Sequence, residues 1–315
     1  MITRLLLLFF ILAAMPALAE PLEAPGPAGP LRGTLLSPGQ AGAPAVLIIP
    51  GSGPTDRDGN NRLGVKAATY RLLAEGLLAQ GVATVRTDKR GLFASAEAVA
   101  DADAVTIADY AADTHGWIAV MRDHLNLPCV WLLGHSEGGL IALVAAREPV
   151  GICGLVLVAS AGRPLGSVLR EQLRANPANA PLLDQAIGAV DALEAGRRVD
   201  TAGMPPALLR LFRPSVQGFM ISLMSYDPAA LLRGWRGPAL IMQGERDLQV
   251  GVADARALAA ARPDARLLLL PEVNHVLKVV ATDDAAANRA AYADPDLPLA
   301  PGIVSAIADF VKAGR

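Results

Sequence analysis

Along this chain short aliphatic runs alternate with longer stretches in which apolar residues recur every three or four positions, and that alternation breaks once in the middle. Runs of strand length lie at Leu31 to Leu36, Ala45 to Ile49, Val82 to Arg86, Val130 to Leu133 and Leu155 to Val158. Between them, helical spacing covers Tyr70 to Gln80, Ile107 to Leu125 and Leu140 to Arg147. Strands alternating with helices predict a mostly parallel sheet with helices on both faces. From Gly162 to Gly237 the strand signal vanishes. Helical runs at Val168 to Ala175, Leu182 to Ala195, Ala207 to Phe212 and Val216 to Met224 follow one another, separated by Asn176-Pro177, Gly203-Met204-Pro205-Pro206 and Asp227-Pro228. Alternation then resumes with a strand at Ala239 to Met242, a helix at Asp254 to Ala261, a strand at Arg266 to Leu270 and a helix at Ile303 to Lys312. The expected organisation is an α/β core over 31–162 and 237–315 with an all-helical cap over 163–236, inserted on the loop side of the sheet.

Residues 1–19 read differently. A basic start, an apolar segment from Leu5 to Ala14 and the small-residue site Ala17-Leu18-Ala19 have the layout of a secretory signal peptide, too short for a membrane span. Export to the periplasm or medium, with no stable membrane anchor after cleavage, is the expectation. The following stretch, 20–30, is rich in proline, glycine and alanine and reads as an extended arm or linker.

Composition narrows the picture. A chain that is 52% hydrophobic with only 4% aromatic residues is globular rather than disordered. A net charge of −2 without lysine or arginine runs gives no footprint for nucleic acid. Two cysteines in an exported chain, Cys129 and Cys153, stand at the starts of consecutive strands; they form either a disulfide or two thiols packed as small hydrophobes.

The chemistry centres on Gly134-His135-Ser136-Glu137-Gly138, a G-x-S-x-G sequence between a strand and a helix. A serine in that turn projects its hydroxyl outward, and the Glu137 N–H sits at a helix N-terminus, where developing negative charge is favoured. A serine hydroxyl needs a base. Of the four histidines, His135 lies inside the turn with its side chain expected to point away from the serine, and His115 and His124 fall on a helix face expected to meet solvent. His275 follows a strand and sits at the same sheet edge as Ser136. A carboxylate must orient that base. Asp247, after the strand ending in Gln243-Gly244, is preferred to Glu245 and Asp227. The loop Pro50-Gly51-Ser52-Gly53 supplies a second oxyanion donor, the N–H of Ser52, and Gly51 and Gly53 let the backbone turn its amides inward. Phe212, Phe219, Met220, Leu223 and Met224 are candidates to line an acyl pocket, against the plainer reading that they form the cap's own core. No cluster with metal-ligand spacing is present, and neither metal nor cofactor is expected.

On these residues the chain resembles an α/β-hydrolase fold serine hydrolase, of the secreted esterase and lysophospholipase-like group carrying a Gly-Ser-Gly-Pro-Thr-Asp-Arg-Asp-Gly-Asn type loop. The resemblance implies Ser136 as nucleophile, Asp247 as acid, His275 as base, and the amides of Ser52 and Glu137 as oxyanion hole. It implies a small-molecule or lipid-like acyl ester substrate. The turn Asp88-Lys89-Arg90-Gly91 resembles a structural turn of this fold, and Asp56, Arg57 and Asp58 read as an ion-paired loop brace, with contact to substrate as the alternative. Pro50 replaces a histidine common in that group. Aminopeptidase, thioesterase or acyltransferase chemistry on the same triad remains open, as does a catalytically silent binder of small apolar molecules.

Overall fold

The computed structural model describes residues 19–175, 177–282 and 284–314. The signal-peptide segment lies, except for its last residue, outside them. Eight strands form one sheet in the order β1-β2-β4-β3-β5-β6-β7-β8. They are β1 (Glu20–Ala24), β2 (Leu31–Leu36), β3 (Ala45–Ile49), β4 (Ala83–Thr87), β5 (Val130–His135), β6 (Ile152–Val158), β7 (Ala239–Gly244) and β8 (Arg266–Leu270). β1, β2 and β4 pair antiparallel; from β4 through β8 every pairing is parallel. The mostly parallel sheet matches the expected fold class.

The stretch read as an arm or linker needs correction. Glu20–Ala24 is an edge strand in register with β2, and only the residues after it form a loop. Its Pro21 masks the strand pattern, yet an edge strand tolerates proline.

Helices cover both faces. On one side α2 (Ile107–Leu125), α3 (Glu137–Ala145) and α9 (Val252–Ala261) close a core built around Leu47, Leu132, Leu155 and Ile241; on the other, α1 (Thr69–Ala79) and α11 (Ile303–Ala313) cover Val46, Leu133, Val156 and Leu240. α2 starts where its sequence says it should: Thr106 and Asp109 form a reciprocal capping box. Between β6 and β7 lie α4 (Leu165–Ala175), α5 (Leu183–Glu194), α6 (Pro206–Phe212), α7 (Pro214–Met224) and α8 (Pro228–Gly234), with no strand among the described residues there. α4 to α7 share a separate small core of Val190, Leu193, Leu208 and Phe212. A short helix, α10 (Ala285–Ala290), precedes α11.

Cys129 and Cys153 are joined, their Cα atoms 5.2 Å apart. β5 and β6 are parallel neighbours, and their register slips by one between Val130 and Trp131, so Cys153 is the extra residue that bulges toward Cys129.

Candidate active site

The parallel strands end at one edge, and the chemistry gathers there. Ser136 follows β5 and precedes α3 with φ 56° and ψ −122°, a strained backbone that the flanking glycines make possible. A Cβ at Gly134 would collide with the Gly138 carbonyl, one at Gly138 with the carbonyl of Ile49, and one at Gly139 with the Ser160 side chain. Each glycine is a point where α3 lies against the sheet closer than any side chain allows.

The structure brings Asp247 and His275 together. His275 Nδ1 lies 2.7 Å from Asp247 Oδ2. The carboxylate also accepts from the backbone N–H groups of Gln249 (2.7 Å) and Val250 (2.9 Å) and from Gln243 Nε2 (3.1 Å). Burial works against its charge, but His275 and these amides outweigh it and hold the carboxyl below the usual range. A carboxylate here accepts, so Nδ1 of His275 carries the proton and Nε2 is left as the basic nitrogen. Gly244 serves this pairing through space: a Cβ would strike the Val273 carbonyl, so its role is close approach of the His275 loop. Of the rival carboxylates, Glu245 is exposed, and Asp227 caps α8 by accepting from Ala230 N–H.

Ser52 and Glu137 flank Ser136, and within the described residues neither backbone N–H has an acceptor. The peptide between Gly51 and Ser52 is fixed. Gly51 N–H donates to Tyr70 Oη (2.8 Å), and Gly51 C=O accepts from Lys89 Nζ (2.8 Å). Lys89 also pairs with the buried Glu137 carboxylate at 3.0 Å. Gly53 has φ +70°, the turn conformation expected of it; Gly51 instead lies too near the Ser136 Cβ to carry a side chain freely. Asp56 accepts from the amides of Asp58 and Asn60, Arg57 binds Asp88, and Asp58 pairs with Arg86, so these three brace the loop.

A further connection is absent from any sequence motif. His135 Nε2 lies 2.8 Å from the His275 carbonyl, which can only accept, so Nε2 carries the proton. His135 Nδ1 then accepts from Tyr70 O–H at 2.9 Å. Burial, reinforced by His275, pushes His135 down to about 3 and keeps it neutral; burial also drives the Tyr70 phenol far above its usual value. An uninterrupted chain of hydrogen bonds therefore runs from Gly51 through Tyr70 and His135 to the backbone of His275. His115, expected to face solvent, bonds the Ala145 carbonyl at 3.1 Å.

Two cavities meet at Ser136, Ser52 and Gln249. One, of about 260 Å³, includes Tyr70, His275 and Tyr292; the other, of about 200 Å³, includes Glu137, Leu140, Leu165 and Leu223. Of the five apolar candidates, Leu223 alone reaches these cavities. Phe212, Met220 and Met224 are buried in the small helical core, and Phe219 packs its ring against Tyr110 at 6.0 Å. Met220 and Met224 point inward because α7 needs an apolar seam against α5, while Phe219 lies on the side of α7 that meets α2. No group of three or more His, Cys, Asp or Glu side chains suited to a metal occurs among the described residues.

A family model described as "Serine aminopeptidase, S33" matches residues 60–188. Esterase EstD from Thermotoga maritima is 26% identical over 244 residues, 74% of this chain and 54% of that protein, so the chain spans about half the length of this curated relative. Among solved structures, the α/β hydrolase GrgF from Penicillium sp. sh18 superposes with a TM-score of 0.61 at 20% identity over 94% of this chain and 98% of that one. Est1E from Butyrivibrio proteoclasticus gives 0.59 at 16% identity over 93% and 98%, and a thermophilic esterase from Thermogutta terrifontis 0.57 at 18% over 94% and 99%. At such identities the structural likeness is one of fold.

Proposed function

We propose that this chain, an α/β-hydrolase, cleaves carboxylic esters by a two-step acyl transfer on Ser136. The observation that carries this reading is the convergence at one sheet edge of a strained Ser136, the Asp247–His275 pair and two backbone N–H groups without acceptors among the described residues. His275 Nε2 takes the Ser136 proton as Oγ attacks the ester carbonyl, and the amides of Ser52 and Glu137 hold the resulting oxyanion. The imidazolium, stabilised by Asp247, then protonates the departing alcohol, and water repeats the sequence to free the acid.

The family description makes an aminopeptidase the nearest competitor. Such an enzyme needs a carboxylate for its substrate's ammonium group. The two cavities at Ser136 are lined by one carboxylate residue, Glu137, and Lys89 already holds it. An uncharged ester suits this surface better. The helices between β6 and β7 act as the cap in this reading, contributing Leu165, Val168 and Leu223 to one cavity.

The disulfide between Cys129 and Cys153 supports export to an oxidising compartment, as the leader-like start of the sequence suggests. No described helix is long and apolar enough to cross a membrane.

The test is hydrolysis of p-nitrophenyl esters and an amino-acid p-nitroanilide by the wild type and Ser136→Ala. Esters turned over, an inert anilide and a folded variant with at least about a thousandfold lower kcat are the expected results. Turnover of the anilide alone would make the protein a peptidase, and full activity in Ser136→Ala would remove the serine mechanism.

A further inference from the structure

We infer that the substrate is an uncharged ester joining a short acyl chain of about four to six carbons to an alcohol that carries further hydroxyl groups. The inference rests on the serine hydrolase reading and extends it to the two cavities that meet at Ser136. The mechanism decides which part of the ester each cavity holds. Ser136 Oγ bonds the acyl carbon, the bond from that carbon to the alcohol oxygen breaks, and the proton on His275 goes to that oxygen. Water then adds to the acyl-serine, giving its proton to His275 and freeing the acid and the serine hydroxyl. The alcohol must therefore lie beside His275, in the larger cavity. The acyl chain runs the other way, past Glu137, into the cavity that His275 does not line.

The acyl side is mostly apolar, with Gln172 and Tyr226 among its polar members. Leu140, Ala161, Leu165, Val168, Leu223 and Val250 line it. Its one cation, Arg163, is already held by Asp254, with Nη2 to Oδ2 at 2.9 Å, and by Glu171, so it offers little to an acidic chain. At about 30 Å³ per water-sized atom, a space of about 200 Å³ takes roughly six or seven non-hydrogen atoms.

The alcohol side sets hydrogen-bonding groups beside the apolar Leu63, Val65 and Val276. Asn61 Oδ1 accepts from the amides of Leu63 and Val65, which leaves its NH₂ group without an acceptor among the described residues. Tyr292 Oη accepts from Gln249 Nε2 at 3.1 Å, so its own O–H is left to donate, and Gln249 Oε1 is left to accept. Burial pushes the Tyr292 phenol up to about 12, so it stays protonated as a donor at neutral pH. Two spare donors and one spare acceptor around one space match groups that both give and take hydrogen bonds. These groups are half-buried or exposed and are served by water in the free site, so a hydroxylated alcohol replaces that water in kind where an alkyl alcohol displaces it without return.

The experiment compares acid release from glycerol 1-butyrate and butyl butyrate, which share an acyl group, and from p-nitrophenyl acetate, butyrate, hexanoate and decanoate. The expected kcat/KM peaks at butyrate or hexanoate and falls at least about tenfold by decanoate, with the glycerol ester at least about tenfold above the butyl ester. Tyr292→Phe, which removes one hydroxyl, should cut the glycerol-to-butyl ratio at least threefold. Leu223→Trp should lower the butyrate-to-acetate ratio about tenfold. Decanoate within threefold of butyrate overturns the acyl assignment, and equal rates on the two butyrates overturn the alcohol assignment. Labelling of Ser136 by a fluorophosphonate, run in parallel, separates the two levels. A labelled protein lacking the pattern overturns this inference alone; an unlabelled, inactive one overturns the hydrolase reading and this inference with it.

Discussion

A trans peptide is planar, and its C=O and N–H point in opposite directions, so whatever holds one sets the other. Lys89 holds the Gly51 carbonyl, and the Ser52 N–H of the same peptide is thereby directed to the opposite side, as an oxyanion donor requires. Lys89→Met should therefore lower kcat on a butyrate ester about a hundredfold, close to the loss of one oxyanion donor, while KM changes less than threefold. Because that change strands the buried Glu137 carboxylate, the double variant Lys89→Met/Glu137→Gln is measured beside it. Recovery of kcat in the double variant would mean that the charge, and not the peptide, was responsible. His135 yields a second prediction. Its folded pKa of about 3 lies below the unfolded 6.5, so only the unfolded chain gains this proton between those values. Its contribution is whole above pH 6.5 and declines as pH falls toward 3, by up to about 1.4 kcal/mol per pH unit. Urea melts at pH 4.5, 5.5 and 7 should show that slope in the wild type and a shallower one in His135→Gln. Equal slopes would mean that His135 is not held neutral. The placement of Ser136, Asp247 and His275 at one sheet edge was legible because each follows an apolar run at a strand end. Tyr70, Lys89 and the bridging role of His135 were not, since their partners lie 19, 38 and 140 residues away.

At the scale of elements, the helices and strands that bury one apolar face announced themselves. β2, β3, α2 and β8 have the limits their hydrophobic patterns predict. β1 did not, because Glu20–Ala24 has no apolar alternation of its own and becomes a strand only by pairing with β2. α10, Ala-Ala-Ala-Asn-Arg-Ala, likewise has no apolar stripe to read. The packing of α3 is the element-scale constraint on the site. Gly138 sits where a Cβ would meet the Ile49 backbone carbonyl, which cannot rotate away as a side chain can. Gly138→Ala should cost at least about 2 kcal/mol of unfolding free energy and displace Ser136 with it. Gly188, exposed on α5 with nothing near its added Cβ, is the control. Gly188→Ala should gain about 0.5–1 kcal/mol, as removing a helix-interior glycine does. Chemical denaturation of the two variants against the wild type tests both. A harmless Gly138→Ala would show that α3 is not pressed against the sheet at this point.

For the whole molecule, the question is what holds the nucleophile's strand-turn-helix unit in one piece. The Cys129–Cys153 bond closes a loop, 24 residues in separation, that contains β5, the Ser136 turn and α3 and ends at the start of β6. Closing a loop of that length restricts the unfolded chain by about 3.5 kcal/mol in the chain-entropy treatment. In a protein of this size such a loss corresponds to a Tm lower by roughly 5–10 °C. Catalysis should respond differently. The bond lies at the N-terminal ends of β5 and β6, and Ser136 follows the C-terminal end of β5, a strand length of about 20 Å away. Between them β5 is paired on both edges, to β3 and to β6, and Leu132 and Leu133 are fully buried. Those pairings survive reduction, so the geometry at the far end should survive as well. Cys129→Ser/Cys153→Ser, measured without reductant beside the wild type with and without it, should show the lower Tm in the variant and in the reduced wild type. All three samples should keep kcat/KM on a butyrate ester within twofold at 25 °C. A Tm insensitive to reduction would mean that the bond restrains little that the sheet does not already restrain. A parallel loss of kcat/KM and Tm would mean that the disulfide also sets the geometry of the Ser136 turn.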